Sequence, residues 1–354
     1  MADPWRVFRQ LFVALLVQLC WDSVRCLKPV TGPVQAGNFK LSPIGCGTWS
    51  WGNVFLWDYK ETNDPLLFET FQELTRKGIN WFDTADSYGT GKIEGNSEKL
   101  LGKFANEISI PSSKKLVYAT KIAPFPSRLL LGKDTMREAI AKSKERLQRK
   151  IDVLQFHWRP IVREEEFIKE FCRNIDEGNA AQLGVSNYGP KTLQKVSAYA
   201  LKYGHKIHTN QVQFSLLSRY PLDTGLTDVC EDLDIQPIAY SPLALGLLSD
   251  KYTIDKLPKG ARGLLFREYL PALTPLLSEL RSIAKERQKS VSQIALNYCF
   301  SKGFLVLVGM NNIEQVRDNL GAVGWNLKSG EVDALEIAAK KCKKPFIQNA
   351  NQSL

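Results

Sequence analysis

The feature that most narrows the fold is an alternation repeated along the chain, in which a short apolar, β-branched run is followed by a longer run with helical spacing. Strand-like segments fall at residues 44–49, 80–83, 116–121, 153–157, 181–186, 208–213, 235–240 and 304–308. Helix-like segments at residues 66–77, 97–107, 135–148, 164–177, 190–203 and 227–233 separate the first seven of these strands. Eight strand–helix repeats with short connections predict an α/β fold closed into a (β/α)8 or TIM barrel. An open doubly wound sheet would carry a G-x-G-x-x-G turn after its first strand, and the sequence has none there. A length of 354 residues suits one such barrel. Ahead of the first strand, Gly37-Asn38 lies between two short alternating runs at residues 34–41, which predicts a β-hairpin able to plug one barrel end. The segment 329–341 has helical spacing and is expected to pack outside the barrel as a peripheral helix.

Residues 1–30 read differently from the barrel at 31–354. Arg6 and Arg9 precede an apolar run at residues 11–19, followed by Arg25 and Lys28. The run is shorter than the ~20 apolar residues a bilayer span needs, so no membrane span is expected and a removable targeting segment is the better reading. The seven cysteines are odd in number and form no C-x-x-C pair, which favours free thiols in a reducing compartment. A formal charge of +10 favours anionic partners in general. The basic residues are scattered among acidic ones on helix-like segments, as on a solvated face, and no nucleic-acid module is recognisable. No metal site is expected: His205 and His208 lack a third ligand. Gly89-Thr-Gly-Lys92 has neither the spacing nor the following Ser or Thr of a phosphate loop.

The chemistry concentrates at strand ends. Asn80-Trp-Phe-Asp-Thr-Ala-Asp-Ser-Tyr-Gly89 sets an acid, Asp83, at the end of an apolar strand and a phenol, Tyr88, in the loop after it. A phenol with an ordinary pKa of ~10 needs a cation nearby if it is to donate a proton and carry the resulting charge. Lys121, closing Leu116-Val-Tyr-Ala-Thr-Lys, is the candidate. Asp152-Val-Leu-Gln-Phe-His157 ends in a histidine, and Leu183-Gly-Val-Ser-Asn187 ends in a hydroxyl and an amide. Taken singly, each residue has a plainer explanation: a strand-end cap, a turn tyrosine, a core histidine. Together, at successive strand C-termini, they match the way a barrel assembles an active site from several strands.

These motifs resemble the aldo-keto reductase family over most of the chain, from about Phe39 to Lys341. The resemblance implies NAD(P)H-dependent carbonyl reduction on a (β/α)8 barrel. It makes Tyr88 the proton donor, Lys121 and Asp83 its tuning pair, and His157 the group that orients the carbonyl. It also implies that Ser186, Asn187 and Gln211 meet the nicotinamide carboxamide, with Tyr240 beneath the ring. Ser241, Pro242 and Leu243, with Lys251 and Arg262 from a long connection at 241–268, would hold the phosphates. Gly309, Asn311, Gln315, Asp318 and Asn319 would meet the adenine end at a helix N-terminus suited to anions. The sequence departs from the better-known members in carrying Val308-Gly309-Met310 and Gln315 where many have Pro-Lys-Ser and an arginine for the 2′-phosphate. NADPH is the expected cofactor, with the basic long connection standing in for those residues.

Within the family the resemblance extends to the plant plastid reductases of pyridoxal. It rests on Gly47-Thr-Trp-Ser-Trp-Gly-Asn53, Ala85-Asp-Ser-Tyr-Gly-Thr-Gly91, Gly184-Val-Ser-Asn-Tyr-Gly-Pro190, Gln211-Val-Gln-Phe-Ser-Leu-Leu-Ser218, Leu264-Leu-Phe-Arg267 and Ile347-Gln-Asn349. This implies a small-molecule aldehyde substrate, pyridoxal, and a chloroplast location, the alternative being cytoplasmic. Trp51, Phe125 and Trp158 follow the first, third and fourth strands and are the expected aromatic walls of the substrate pocket. Two other functions stay open at this point: a broad-specificity aldehyde reductase, and a nucleotide-bound regulatory subunit of a channel.

Overall fold

A computed structural model describes residues 27–89, 95–108, 115–342, 344 and 346. The apolar run at 11–19, Cys20 and Cys26, Thr90 to Lys92, and the tail motif at 347–349 lie outside the described residues. The strands are β1 (Val34–Ala36), β2 (Phe39–Leu41), β3 (Ile44–Gly47), β4 (Trp81–Asp83), β5 (Val117–Ile122), β6 (Ile151–Phe156), β7 (Ala180–Ser186), β8 (Ile207–Gln213), β9 (Gln236–Tyr240) and β10 (Leu305–Val308). Strands β3 to β10 close into a parallel barrel in chain order, with β10 returning to pair with β3. Every residue of β5 and β6 is buried, as expected of parallel strands covered on both faces.

The barrel interior is closely packed at β7. A Cβ on Gly184 would lie 2.4 Å from Thr209 Oγ1 and 3.0 Å from Gln155 Cγ, so only a glycine leaves room there for the polar side chains of the neighbouring strands. Strands β1 and β2 form the expected antiparallel hairpin, pairing Val34 with Leu41 and Ala36 with Phe39. It closes the N-terminal end of the barrel. Asn38 N donates to Gln182 Oε1 at 2.8 Å, Gln182 Nε2 donates to Ala36 O at 3.1 Å, and Phe39 is buried. Ahead of it, Leu27 and Lys28 lie against Gly303, and Val30 N donates to Phe300 O at 2.9 Å.

Helices Asp64–Arg76, Asn96–Glu107, Lys133–Leu147, Glu164–Asp176, Pro190–Lys202 and Leu226–Asp232 alternate with the strands. Their ends lie within two residues of those read from the sequence. The long connection after β9 is partly helical. It contains a 3-10 turn, Ala244–Ser249, and a helix, Ala261–Tyr269, and two further helices, Thr274–Arg287 and Val291–Ser301, precede β10. Helix Val291–Ser301 is buried at nine of its eleven positions, so no polar face marks its period in the sequence. Helix Ser329–Lys340 lies outside the barrel as expected, tied to Thr274–Arg287 by an ion pair between Arg287 and Glu331 at 2.5 Å. Among the described residues no helix is long and apolar enough to cross a membrane. Cys46, Cys172, Cys230, Cys299 and Cys342 are free.

Candidate active site

Strand register brings the acid and the amine together. Asp83 pairs with Ala119 across β4 and β5, so Lys121, two residues further on, shares its face of the barrel. Both side chains are 1% exposed, and Lys121 Nζ donates to Asp83 Oδ2 and, at 2.9 Å, to Thr84 O. The other carboxylate oxygen, Asp83 Oδ1, accepts from Gln155 Nε2 at 3.0 Å and from Gln211 Nε2 at 2.8 Å. A buried pair this well hydrogen-bonded meets the condition for keeping both charges out of water. Lys121 Nζ also lies 4.9 Å from the centroid of the Tyr88 ring, and the His157 ring meets that ring edge-on at 5.5 Å. Asp83, Tyr88, Lys121 and His157 are therefore brought together.

Burial decides the protonation states. It raises the Tyr88 phenol well above its ordinary value, and the Asp83 carboxylate adds to the shift, so the phenol keeps its proton at neutral pH. Burial also holds the His157 imidazole well below its ordinary value, with the Lys121 ammonium acting in the same direction. His157 is therefore neutral, with Nδ1 at 3.1 Å from Ser87 Oγ. Lys121 is lowered by burial and raised by Asp83, with the net shift downward.

Beside this group runs a cleft of about 850 Å3. Its walls include Ser186, Asn187, Gln211, Tyr240, Ser241, Pro242, Leu243, Lys251, Arg262, Gly309, Asn311, Gln315, Asp318 and Asn319, all of the residues assigned to the cofactor from the sequence. Asn187 has φ +65°, a left-handed backbone held by Asn187 N donating to Gln211 O at 2.9 Å. Its side chain donates to His157 O at 2.9 Å and accepts from Tyr240 OH at 2.7 Å, so the nucleotide-side residues and the histidine form one hydrogen-bonded unit. Gln211, expected to meet a carboxamide, lines the cleft and also donates from Nε2 to Asp83 Oδ1. At the far end Asn312 caps helix Ile313–Leu320 through Gln315 N, and Gln315 Oε1 accepts from Asn311 N at 2.8 Å. Arg262 donates from Nη2 to Leu245 O at 3.0 Å and lies over the rings of Trp57, Tyr252 and Phe266. Its Nε is buried without a hydrogen-bond partner.

The aromatic walls differ from expectation. Trp51 does not reach the mouth: it is 0% exposed, donates from Nε1 to Met310 O at 3.1 Å and packs on Phe104. Phe125 and Trp158 pair edge-on at 5.6 Å beside His157, but neither lines the cleft. Besides Tyr88 and Tyr240, the aromatic residues that line it are Trp49, 37% exposed, and Trp57, whose rings meet at 4.5 Å, together with Tyr252 and Phe346. Sequence reasoning also missed Gln155 and Ser87. For Gln155 a signal existed, since it lies two residues before His157 and so on the same strand face. Among the described residues no group of three or more His, Cys, Asp or Glu is placed to hold a metal; His205 instead pairs with Asp176 at 2.9 Å.

An eight-stranded barrel with an acid, an amine, a phenol and a neutral imidazole at its strand ends is the architecture of a carbonyl reductase. The aldo/keto reductase family model matches residues 43–340, and the chain belongs to that family. It is 43% identical over 329 residues to the chloroplastic pyridoxal reductase of Arabidopsis thaliana, covering 90% of this chain and 89% of that protein. Among solved structures, a glycerol dehydrogenase from Gluconobacter oxydans superposes with a TM-score of 0.73 at 24% identity, covering 90% of this chain and 98% of that one. An aldo-keto reductase from Klebsiella pneumoniae in complex with NADPH superposes with a TM-score of 0.70 at 21% identity, covering 90% and 99% of the two chains.

Proposed function

We propose that the chain reduces an aldehyde with NADPH, and that the aldehyde is pyridoxal, giving pyridoxine. The observation that carries the reductase reading is the buried Asp83–Lys121 pair beneath a protonated Tyr88, with a neutral His157 beside it. The pyridoxal assignment is supported by the 43% identity to the Arabidopsis enzyme, and the same likeness supports a plastid location.

The residues of the cleft fit a nicotinamide dinucleotide. Tyr240 offers a flat surface, Ser186 and Asn187 offer amide and hydroxyl partners, and the unpartnered Arg262 Nε with the exposed Lys251 offers donors for phosphate oxygens. NADPH, when bound, supplies the hydride from nicotinamide C4. With His157 Nδ1 engaged by Ser87, the ring's other nitrogen, Nε2, orients the carbonyl oxygen. Tyr88 gives its hydroxyl proton to that oxygen as charge builds on it, and Lys121, held in place by Asp83, stabilises the phenolate left behind. Trp49 and Trp57 provide the apolar faces against which a flat heteroaromatic aldehyde rests.

The test is NADPH consumption with pyridoxal set against aliphatic, sugar and simple aromatic aldehydes. The expected result is the highest kcat/KM with pyridoxal. Turnover of benzaldehydes as good as that of pyridoxal would remove the pyridoxal assignment and leave a general aldehyde reductase.

A further inference from the structure

Helix Ala261–Tyr269 forms one wall of the cleft through Arg262 and Leu265, yet it is thinly anchored. Of its nine residues only Phe266 and Tyr269 are buried, while Leu264 is 70% exposed. Phe266 packs edge-on against Tyr252 at 5.1 Å, a contact made within the same long connection. The Tyr269 anchor comes from the far end of the chain. Phe346 is 5% exposed and meets the Tyr269 ring at 5.6 Å with the planes at 69°, and it lines the cleft itself. Lys344 places its ammonium 4.8 Å from the centroid of that same ring and forms an ion pair with Glu268. Two residues of the C-terminal segment thus grip the last two residues of the helix.

We propose that Phe346, assisted by Lys344, is a positioning residue for the nucleotide: it holds helix Ala261–Tyr269 against the cleft and so sets how long the cofactor stays bound. An element with few buried apolar contacts opens at low free-energy cost, and its opening frequency follows those contacts. The helix carries Arg262, so release of the Tyr269 end frees the wall that confines the nucleotide phosphates. The inference rests on the reading of the cleft as a nicotinamide-nucleotide site. It goes beyond that reading by assigning retention to a segment more than seventy residues downstream of the helix.

Stopped-flow release of NADPH, followed by nicotinamide fluorescence, tests it in the full chain. Phe346→Ala is expected to speed release roughly tenfold or more, since a buried ring and its aromatic contact are lost. The Kd for NADPH should rise by the same factor as the release rate, and that for NADH by less because the helix carries Arg262, while the aldehyde KM at saturating cofactor stays unchanged. Phe346→Trp, which keeps a ring, should restore slow release. A folded Phe346→Ala protein that releases NADPH at the wild-type rate overturns the proposal. So does one in which only the aldehyde KM changes, because Phe346 would then be a substrate wall. If Phe346→Ala fails to fold, Lys344→Glu takes its place: it sets two carboxylates against each other at Glu268, and release should quicken, with recovery on adding Glu268→Lys. Unchanged release in Lys344→Glu then overturns the proposal. Wild-type protein that does not bind NADPH at all would instead refute the nucleotide reading itself, a result seen before any variant is made.

Discussion

Asp83 and Lys121 show how one buried ion pair serves two purposes. The ammonium is committed to Asp83 Oδ2 and Thr84 O, which fixes its place, and from there it faces the Tyr88 ring rather than titrating freely. Removing either partner would leave an uncompensated buried charge, at a cost of ~3–5 kcal/mol, so substitutions at Asp83 or Lys121 mix folding with chemistry. Tyr88→Phe does not have that defect, because it deletes one hydroxyl and leaves the pair intact. Turnover is expected to fall by ~10²–10⁴-fold, the usual contribution of a positioned acid, with NADPH binding nearly unchanged. The pH dependence follows from the same environment. Reduction needs Tyr88 protonated and His157 neutral. The first pKa lies above its ordinary 10.0 and the second below its ordinary 6.5, so kcat/KM for reduction should be flat between those limits, falling below them as His157 gains a proton and above them as the phenol ionises. A pH–rate profile with an inflection near neutrality would show that one of these groups is solvated in the working enzyme.

At the level of elements, the sequence carried the strand ends well because Asp83, Lys121 and His157 each stand at the end of a short apolar run, and strand period alone puts all three on inward-facing positions. It carried contacts between distant segments poorly. Trp49 and Trp51 both follow β3, and nothing local says which faces the cleft. The turn in which Trp51 N donates to Thr48 O sends Trp51 inward to Met310 O and Phe104, both remote in sequence. Gln211 is similar, since its partner Asp83 lies 128 residues away. The helix inside the long connection was obscured by the glycines and prolines around it. That connection is also where cofactor choice should reside. Lys251→Ala and Arg262→Ala are expected to weaken NADPH by ~10–100-fold, the range of a lost charge-assisted hydrogen bond, and NADH by less. Lys251 is the cleaner probe, because it is exposed whereas Arg262 also ties down Leu245 O and packs on Trp57. Equal losses for the two nucleotides would place these residues on the shared pyrophosphate.

The molecule as a whole divides its two ends by role. The hairpin seals the N-terminal end through Gln182, and the C-terminal end opens into the cleft where strand ends, the long connection and Phe346 meet. A formal charge of +10 suits an anionic dinucleotide arriving at that end. The central claim is that this end of the barrel passes a hydride from nicotinamide C4 to the carbon of pyridoxal's aldehyde. Single-turnover reaction of the protein with NADPH deuterated at the transferring C4 position, followed by mass spectrometry of the product, addresses it directly. The account predicts pyridoxine carrying one deuterium on its new hydroxymethyl carbon for each NADPH consumed. Protein that binds NADPH yet returns unlabelled pyridoxal would contradict it.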